Sequence, residues 1–157
     1  MSDSASALAT ASDGAHGRPI LAAAPPGADA LYLARLLAEA PERHWLHVAR
    51  DDAQAARMVD SLRFFAPEVE ALVFPAWDCL PYDRVSPHRD IVARRLDVLT
   101  RLMQPAGPRP QAVITTVNAL LQRVPPPEAL AGRVLTLEAG QNLPAERLHG
   151  FFAENGY

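Results

Sequence analysis

The sequence predicts an α/β domain, a mostly parallel sheet flanked by helices on both faces. Three observations carry this. Short apolar runs alternate with helical patterns along a chain of 157 residues. Ile20 to Ala24 is a short continuous apolar run, readable as a buried strand. Pro, Gly or Asp stands between most runs and helices, where turns and caps need them. The alternation itself is the signature of a parallel sheet, because parallel strands need a crossover helix.

The elements follow in order. Residues 1–18, "MSDSASALATASDGAHGR", are small and polar and predict a loose tail. They lack a basic start and an apolar centre, so they do not read as a secretory signal. Ile20 to Ala24 reads as a first strand and Pro25-Pro26-Gly27 as a turn. A helix follows, with Leu33, Leu36 and Leu37 at helical spacing, and Pro41 closes it. "HWLHVA" (44–49) is the second strand. Asp51 can cap a helix running to Phe65, with Ala55, Met58, Val59 and Leu62 on one face. "EALVFP" (70–75) is the third strand.

The stretch "FPAWDCLPYDRVSPH" (74–88) is broken by three prolines yet rich in aromatic and aliphatic side chains. It reads as a Pro-locked connector, with Trp77, Leu80 and Tyr82 packing it against the sheet edge. From His88 or Arg89 a long helix begins, with Val92, Leu96, Leu99 and Met103 in one row. "PAGPRP" (105–110) links it to a fourth strand, "QAVITT" (111–116). A short helix, "VNALLQR", stops at Pro125-Pro126-Pro127, and "PEALAG" adds a helical turn. "RVLTLEAG" (133–140) is a fifth strand candidate, and 144–153 a last helix stopped by Asn155-Gly156. Phe151, Phe152 and Tyr157 are expected to be under-packed, with more chain following them.

Composition bounds the function. Apolar residues make up 49% of the chain, and a chain of this size buries roughly 70% of its unfolded surface. The net charge of −3 argues against a generic nucleic-acid coat; binding DNA would need a local arginine cluster. All 15 basic residues are arginine, and there is no lysine. The single Cys79 has no disulfide partner and forms no metal cluster. No apolar run approaches the ~18 residues that span a membrane, so no membrane association and a cytoplasmic location are expected.

The first turn stands where a phosphate-binding loop would stand in a nucleotide enzyme. That loop needs G-x-x-x-x-G-K-[ST]: glycines to open the backbone donors, lysine for the terminal phosphates and a hydroxyl for Mg²⁺. The aligned residues are Ala22-Ala-Ala-Pro-Pro-Gly27-Ala28-Asp29. Ala22 replaces the first glycine, Ala28 the lysine and Asp29 the hydroxyl, while Gly27 remains. Pro25 and Pro26 remove two N–H donors, and Asp29 places negative charge where triphosphate would sit. A structural turn is favoured, and nucleotide binding by this loop is not expected.

Other candidates are weaker. His44 and His47 are three apart on a strand, so they face opposite sides and cannot share one ion. Cys79 lacks the surroundings of a nucleophile. Asp78, Asp83 and Asp90 have no spacing that fixes acid–base geometry, and Asp90 suits a helix start. Arg89, Arg94, Arg95 and Arg101 are the candidate contacts for an acidic partner or DNA; Arg94 and Arg101 share a face and Arg95 points partly elsewhere. A solvated helix face is the commoner reading.

Three blocks carry a resemblance to a family. "WDCLPYDRVSPHRDIVARRLDVLTRL" (77–102), "AVITTVNALLQRVPPP" (112–127) and "LEAGQNL" (137–143) resemble the N-terminal part of the transcription-repair coupling factors. The resemblance covers roughly residues 19–157 and implies a fold like the first domain of the excision-repair protein UvrB, with a degenerate phosphate loop. It implies an α/β subdomain over 19–136 and, over 137–157, the opening of a small domain that contacts UvrA. UvrB's long hairpin has no counterpart, because Tyr82-Asp83 runs directly to Asp90 and a helix. In the full-length protein the resemblance implies an ATP- and Mg²⁺-dependent motor that acts on DNA and releases stalled RNA polymerase, with UvrA recruited for excision repair. This stretch would be a non-catalytic scaffold, packing on other domains and holding no cofactor of its own. The rival reading is a free-standing nucleotide-binding α/β enzyme, which the loop chemistry disfavours.

Overall fold

A computed structural model describes residues 24–79, 84, 86–105, 107, 109–130, 135, 137 and 139–154, with the backbone of Ser12–Asp13 and Pro19–Ile20. Its elements are β1 (Ser12–Asp13), β2 (Pro19–Ile20), α1 (Ala28–Glu39), β3 (His44–Ala49), α2 (Asp52–Phe65), β4 (Glu70–Phe74), α3 (Arg89–Leu102), β5 (Gln111–Thr116), α4 (Val117–Leu120), α5 (Pro127–Leu130) and α6 (Ala145–Glu154).

The central sheet has the order β3-β5-β4, with both pairings parallel. The fold is therefore α/β, as the alternation of elements predicts. β5 takes the middle place and is buried on both faces, from Ala112 to Thr116. Its register aligns Leu46 with Val113 and His47 with Ile114 on β3, and Leu72 with Val113 and Val73 with Ile114 on β4. Side chains alternate across the sheet, so Ala112 and Ile114 face one layer and Val113 the other.

The first layer is α1 and α2. Leu33 and Leu37 of α1 pack with Met58, Val59 and Leu62 of α2 over Ala49, Ala112 and Ile114. On the opposite face Val98 of α3 and Ala119 of α4 cover Leu72, Phe74 and Val113. This second layer leaves Leu46 and Val48 of β3 exposed.

The caps explain the boundaries. The Asp51 carboxylate accepts from Gln54 N–H at 2.8 Å, and the Gln54 side chain in turn accepts from Arg50 N–H at 2.9 Å. His88 caps α3: its Nδ1 accepts from Asp90 N–H at 3.3 Å. Trp45 Nε1–H donates to Ala40 O at 3.3 Å, tying the start of β3 to the end of α1.

The ends of the chain differ from expectation. The reading of 20–24 as a sheet strand is not what the described part shows: Pro19–Ile20 pairs antiparallel with Ser12–Asp13 and forms a separate two-stranded ribbon. Residues 12–13 thus have a backbone partner where a loose tail is predicted. Within 133–140, Leu135 and Leu137 are not in a strand, and Ala139-Gly140 form a turn with Gly140 at φ 88°. A carbonyl or amide pairs along a strand only where a neighbour offers its edge, which a periodic sequence cannot reveal. Ala22, Leu80, Tyr82, Asp83, Asn155-Gly156 and Tyr157 lie outside the described residues. No helix among the described residues is long and apolar enough to cross a membrane.

Candidate functional site

The turn before α1 is built by its own donors and acceptors. Gly27 is the N-cap with φ 85°, a left-handed conformation that favours glycine. Ala28 N–H donates to Pro25 O at 3.1 Å. Ala30 N–H donates to the Asp29 carboxylate at 2.9 Å, so Asp29 folds back onto the helix start. Pro25 and Pro26 have no N–H to offer. The Ala28 and Ala30 N–H groups are thus engaged within the turn, and a carboxylate lies at the helix's positive end. Around this turn lies an open groove of about 850 Å³, with Met58, Phe64 and Phe65 of α2 on its far side.

His47 stands near this turn on the face covered by α1 and α2. Burial pushes its imidazole below the ordinary range, and the Asp29 charge acts in the opposite direction. Its buried Nε2 has no hydrogen-bond partner among the described residues.

The connector after β4 holds a different arrangement. Arg95, from the first half of α3, is 2% exposed. Its guanidinium carbon lies 4.2 Å from the Phe74 ring centre and 4.2 Å from the Trp77 ring centre, so the cation is held between two aromatic faces. Arg95 Nη1 donates to Pro75 O at 2.7 Å and to Gln122 Oε1 at 3.2 Å. Gln122 Oε1 also accepts from Trp77 N–H at 2.8 Å. Burial lowers the arginine's proton affinity from its usual very high value, but an arginine stays charged in a protein. No carboxylate forms an ion pair with it among the described residues, and its buried Nη2 has no partner there. Asp78 completes the connector by accepting from His88 N–H at 3.2 Å.

The four candidate arginines do not form one basic surface. Arg95 is buried in this clamp. Arg101 is paired: its guanidinium donates to Glu70 and, one helical turn back, to Asp97 at 3.1 Å. The Glu70 carboxylate also accepts from the Gln111 side chain at 3.0 Å, joining α3 to the starts of β4 and β5. The Asp97 hydrogen bond above all holds Arg101 in its charged form. Arg89 and Arg94 are exposed. The expected contact set therefore divides into two structural arginines and two surface ones, because the burial of a helix face depends on what crosses it.

Cys79 is a half-buried free thiol. Among the described residues no group of three or more His, Cys, Asp or Glu could hold a metal. Asp90 lies in the first turn of α3, where its charge suits the helix dipole. Sequence reasoning missed Gln122 as a partner of Arg95; the glutamine of the V-N-A-L-x-Q-R pattern was the available signal.

Comparisons with known proteins agree with the family resemblance. No family model and no solved structure matches the chain. The transcription-repair-coupling factor of Escherichia coli is 36% identical over 127 residues, 79% of this chain and 11% of that protein. The chain belongs to the transcription-repair coupling factor family. The coupling factor of Mycobacterium tuberculosis is 32% identical over 149 residues, 91% of this chain and 12% of that protein. That of Rickettsia bellii is 31% identical over 110 residues, 70% of this chain and 10% of that protein. The chain spans about a tenth of the length of the coupling factors it matches. The Arg95 clamp draws its residues from two blocks that resemble coupling factors, 77–102 and 112–127, together with Phe74 and Pro75 just before them.

Proposed function

We propose that this chain is the N-terminal, UvrB-like α/β piece of a coupling factor and works as a non-catalytic scaffold. The Asp29 carboxylate, seated on the Ala30 N–H where a phosphate would bind, carries this reading. A nucleotide's negative charge meets a fixed carboxylate there, and the chain has no lysine to offset it. ATP and Mg²⁺ would be used by a motor elsewhere in the full-length protein, which acts on DNA in the cytoplasm. That protein would release RNA polymerase stalled at damaged DNA and recruit UvrA for excision repair. The present piece holds the module's shape, with the Arg95 clamp fixing the connector that leads into α3.

Titration calorimetry with Mg²⁺–ATP tests the non-catalytic reading. No heat of binding is expected at millimolar nucleotide. A dissociation constant near 10 µM, roughly −7 kcal/mol, would overturn it and favour the nucleotide-enzyme alternative. In the full-length protein, capture of purified UvrA and of RNA polymerase is expected; capture of neither would sink the coupling role.

A further inference from the structure

We propose that the groove beside the degenerate loop is a docking site for a protein segment that carries an arginine or lysine next to an apolar side chain. This rests on the reading that the loop holds no nucleotide, and it names what the groove takes instead. One wall is Pro25, Pro26 and Gly27, and the other is Met58, Phe64 and Phe65 of α2. Phe64 is 80% exposed, which is unusual for so large an apolar ring. Its ring meets that of Phe65 edge-on, with centres 5.1 Å apart, so the pair forms a preorganised aromatic surface. A Cβ built on Gly27 would sit 3.6 Å from the Phe65 ring, which places that ring against the loop two residues from Asp29.

Charge selects the occupant. Asp29 and Asp60 both line the groove. Asp29 makes no ion pair among the described residues, and Asp60 has only a loose surface contact to Arg63 at 3.5 Å. Arg57, the basic residue of the lining, lies about two helical turns before Phe64 on α2, away from the Phe65 ring that meets the loop. An incoming guanidinium or ammonium can therefore meet the Asp29 carboxylate while a neighbouring apolar side chain covers Phe64. An anionic ligand such as a nucleic-acid backbone meets repulsion at the same place.

The test is amide chemical-shift mapping at low salt, where the surface charges are least screened. The probes are the peptide acetyl-Gly-Phe-Arg-Leu-Arg-Phe-Gly-amide and the same peptide with both arginines replaced by glutamate. The arginine peptide is expected to shift the amides of residues 27–30 and 64–65. The glutamate peptide is expected to leave them in place. Asp29→Asn should weaken the arginine peptide about fivefold, the size of an exposed ion pair. Phe64→Ala, at a surface position that leaves the core intact, should weaken it about tenfold. Absence of shifts, equal shifts with the glutamate peptide, shifts elsewhere, or shifts of the same amides by duplex DNA would each overturn the proposal. So would binding that neither substitution weakens. Shifts at residues 27–30 caused by Mg²⁺–ATP would instead overturn the non-catalytic reading beneath it.

Discussion

Two charged groups, Asp29 of α1 and Arg95 of α3, lie in different parts of this molecule, and neither forms an ion pair among the described residues. Asp29 is half-exposed at the start of α1 and accepts from a backbone N–H. Arg95 is buried beneath the connector after β4 and lies between two aromatic rings. A surface carboxylate needs little beyond water and a helix dipole. A buried guanidinium needs every surrounding group, because water can no longer solvate it. The first charge leaves a groove open to a partner. The second consumes its neighbours and locks a connector. The same absence of a counter-ion thus marks a binding surface in one place and a structural clamp in the other.

That contrast can be broken by substitution. Arg95→Ala is expected to cost about 3 kcal/mol in urea denaturation, since it removes two cation–π contacts and leaves a cavity. Arg95→Met refills part of the volume and should cost less. An unchanged midpoint for the alanine variant would remove the clamp from the account. Gln122→Ala should cost about 2 kcal/mol by stripping the acceptor shared by Trp77 N–H and Arg95. Gln122→Glu keeps both acceptor contacts and adds the missing counter-charge, so it should recover most of that loss in the same assay.

At the turn before α1 the effects are smaller. Gly27→Ala forces a side chain into the left-handed region at φ 85° and should lower stability by about 1 kcal/mol. Asp29→Asn removes a favourable charge from the first turn of α1, worth about 0.5 kcal/mol in thermal or urea unfolding.

Asp29→Asn also sharpens the comparison through His47. The His47 imidazole is held below its ordinary value of 6.5 by burial, and Asp29 raises it. As pH falls below 6.5, the unfolded chain takes up this proton before the folded chain does. Stability contributed by neutral His47 is therefore full above that pH and is lost as pH falls through the depressed folded value. Asp29→Asn should move the folded His47 titration lower, read by NMR of the imidazole. An upward movement would contradict the placement of the two groups.

Much of the fold was legible because local rules governed it. Asp51 caps α2 and the helix runs to Phe65, as its spacing predicts. The strands at 44–49 and 111–116 have the predicted bounds, and β4 ends one residue earlier than predicted. Strand order was not legible. β5 lies between β3 and β4 with its side chains buried on both faces, and that is a property of the assembled layers. The run at 20–24 misled for a similar reason: an apolar segment can join any available edge, and here Pro19–Ile20 pairs with Ser12–Asp13.

The candidate sites divide in the same way. The chemistry of the 24–29 turn could be read from residue types, since proline has no N–H and aspartate carries negative charge wherever the turn sits. The arginines of α3 could not be sorted by spacing. Arg94 and Arg95 are adjacent in sequence, yet one is exposed and the other is almost fully buried. A turn of α3 decides which of them faces Phe74 and Trp77.

The sequence by itself determined the helix–strand alternation, the absence of lysine, the chemistry of the turn before α1 and the three blocks that resemble coupling factors. Only the tertiary structure decided that "FPAWDCLPYDRVSPH" holds a cation between its Phe74 and Trp77 rings, and that Gln122, 45 residues after Trp77, closes the clamp. Residue type fixes what a group can donate, accept or repel. Which groups meet depends on chain crossings that bring distant residues within about 3 Å, the range over which hydrogen bonds act.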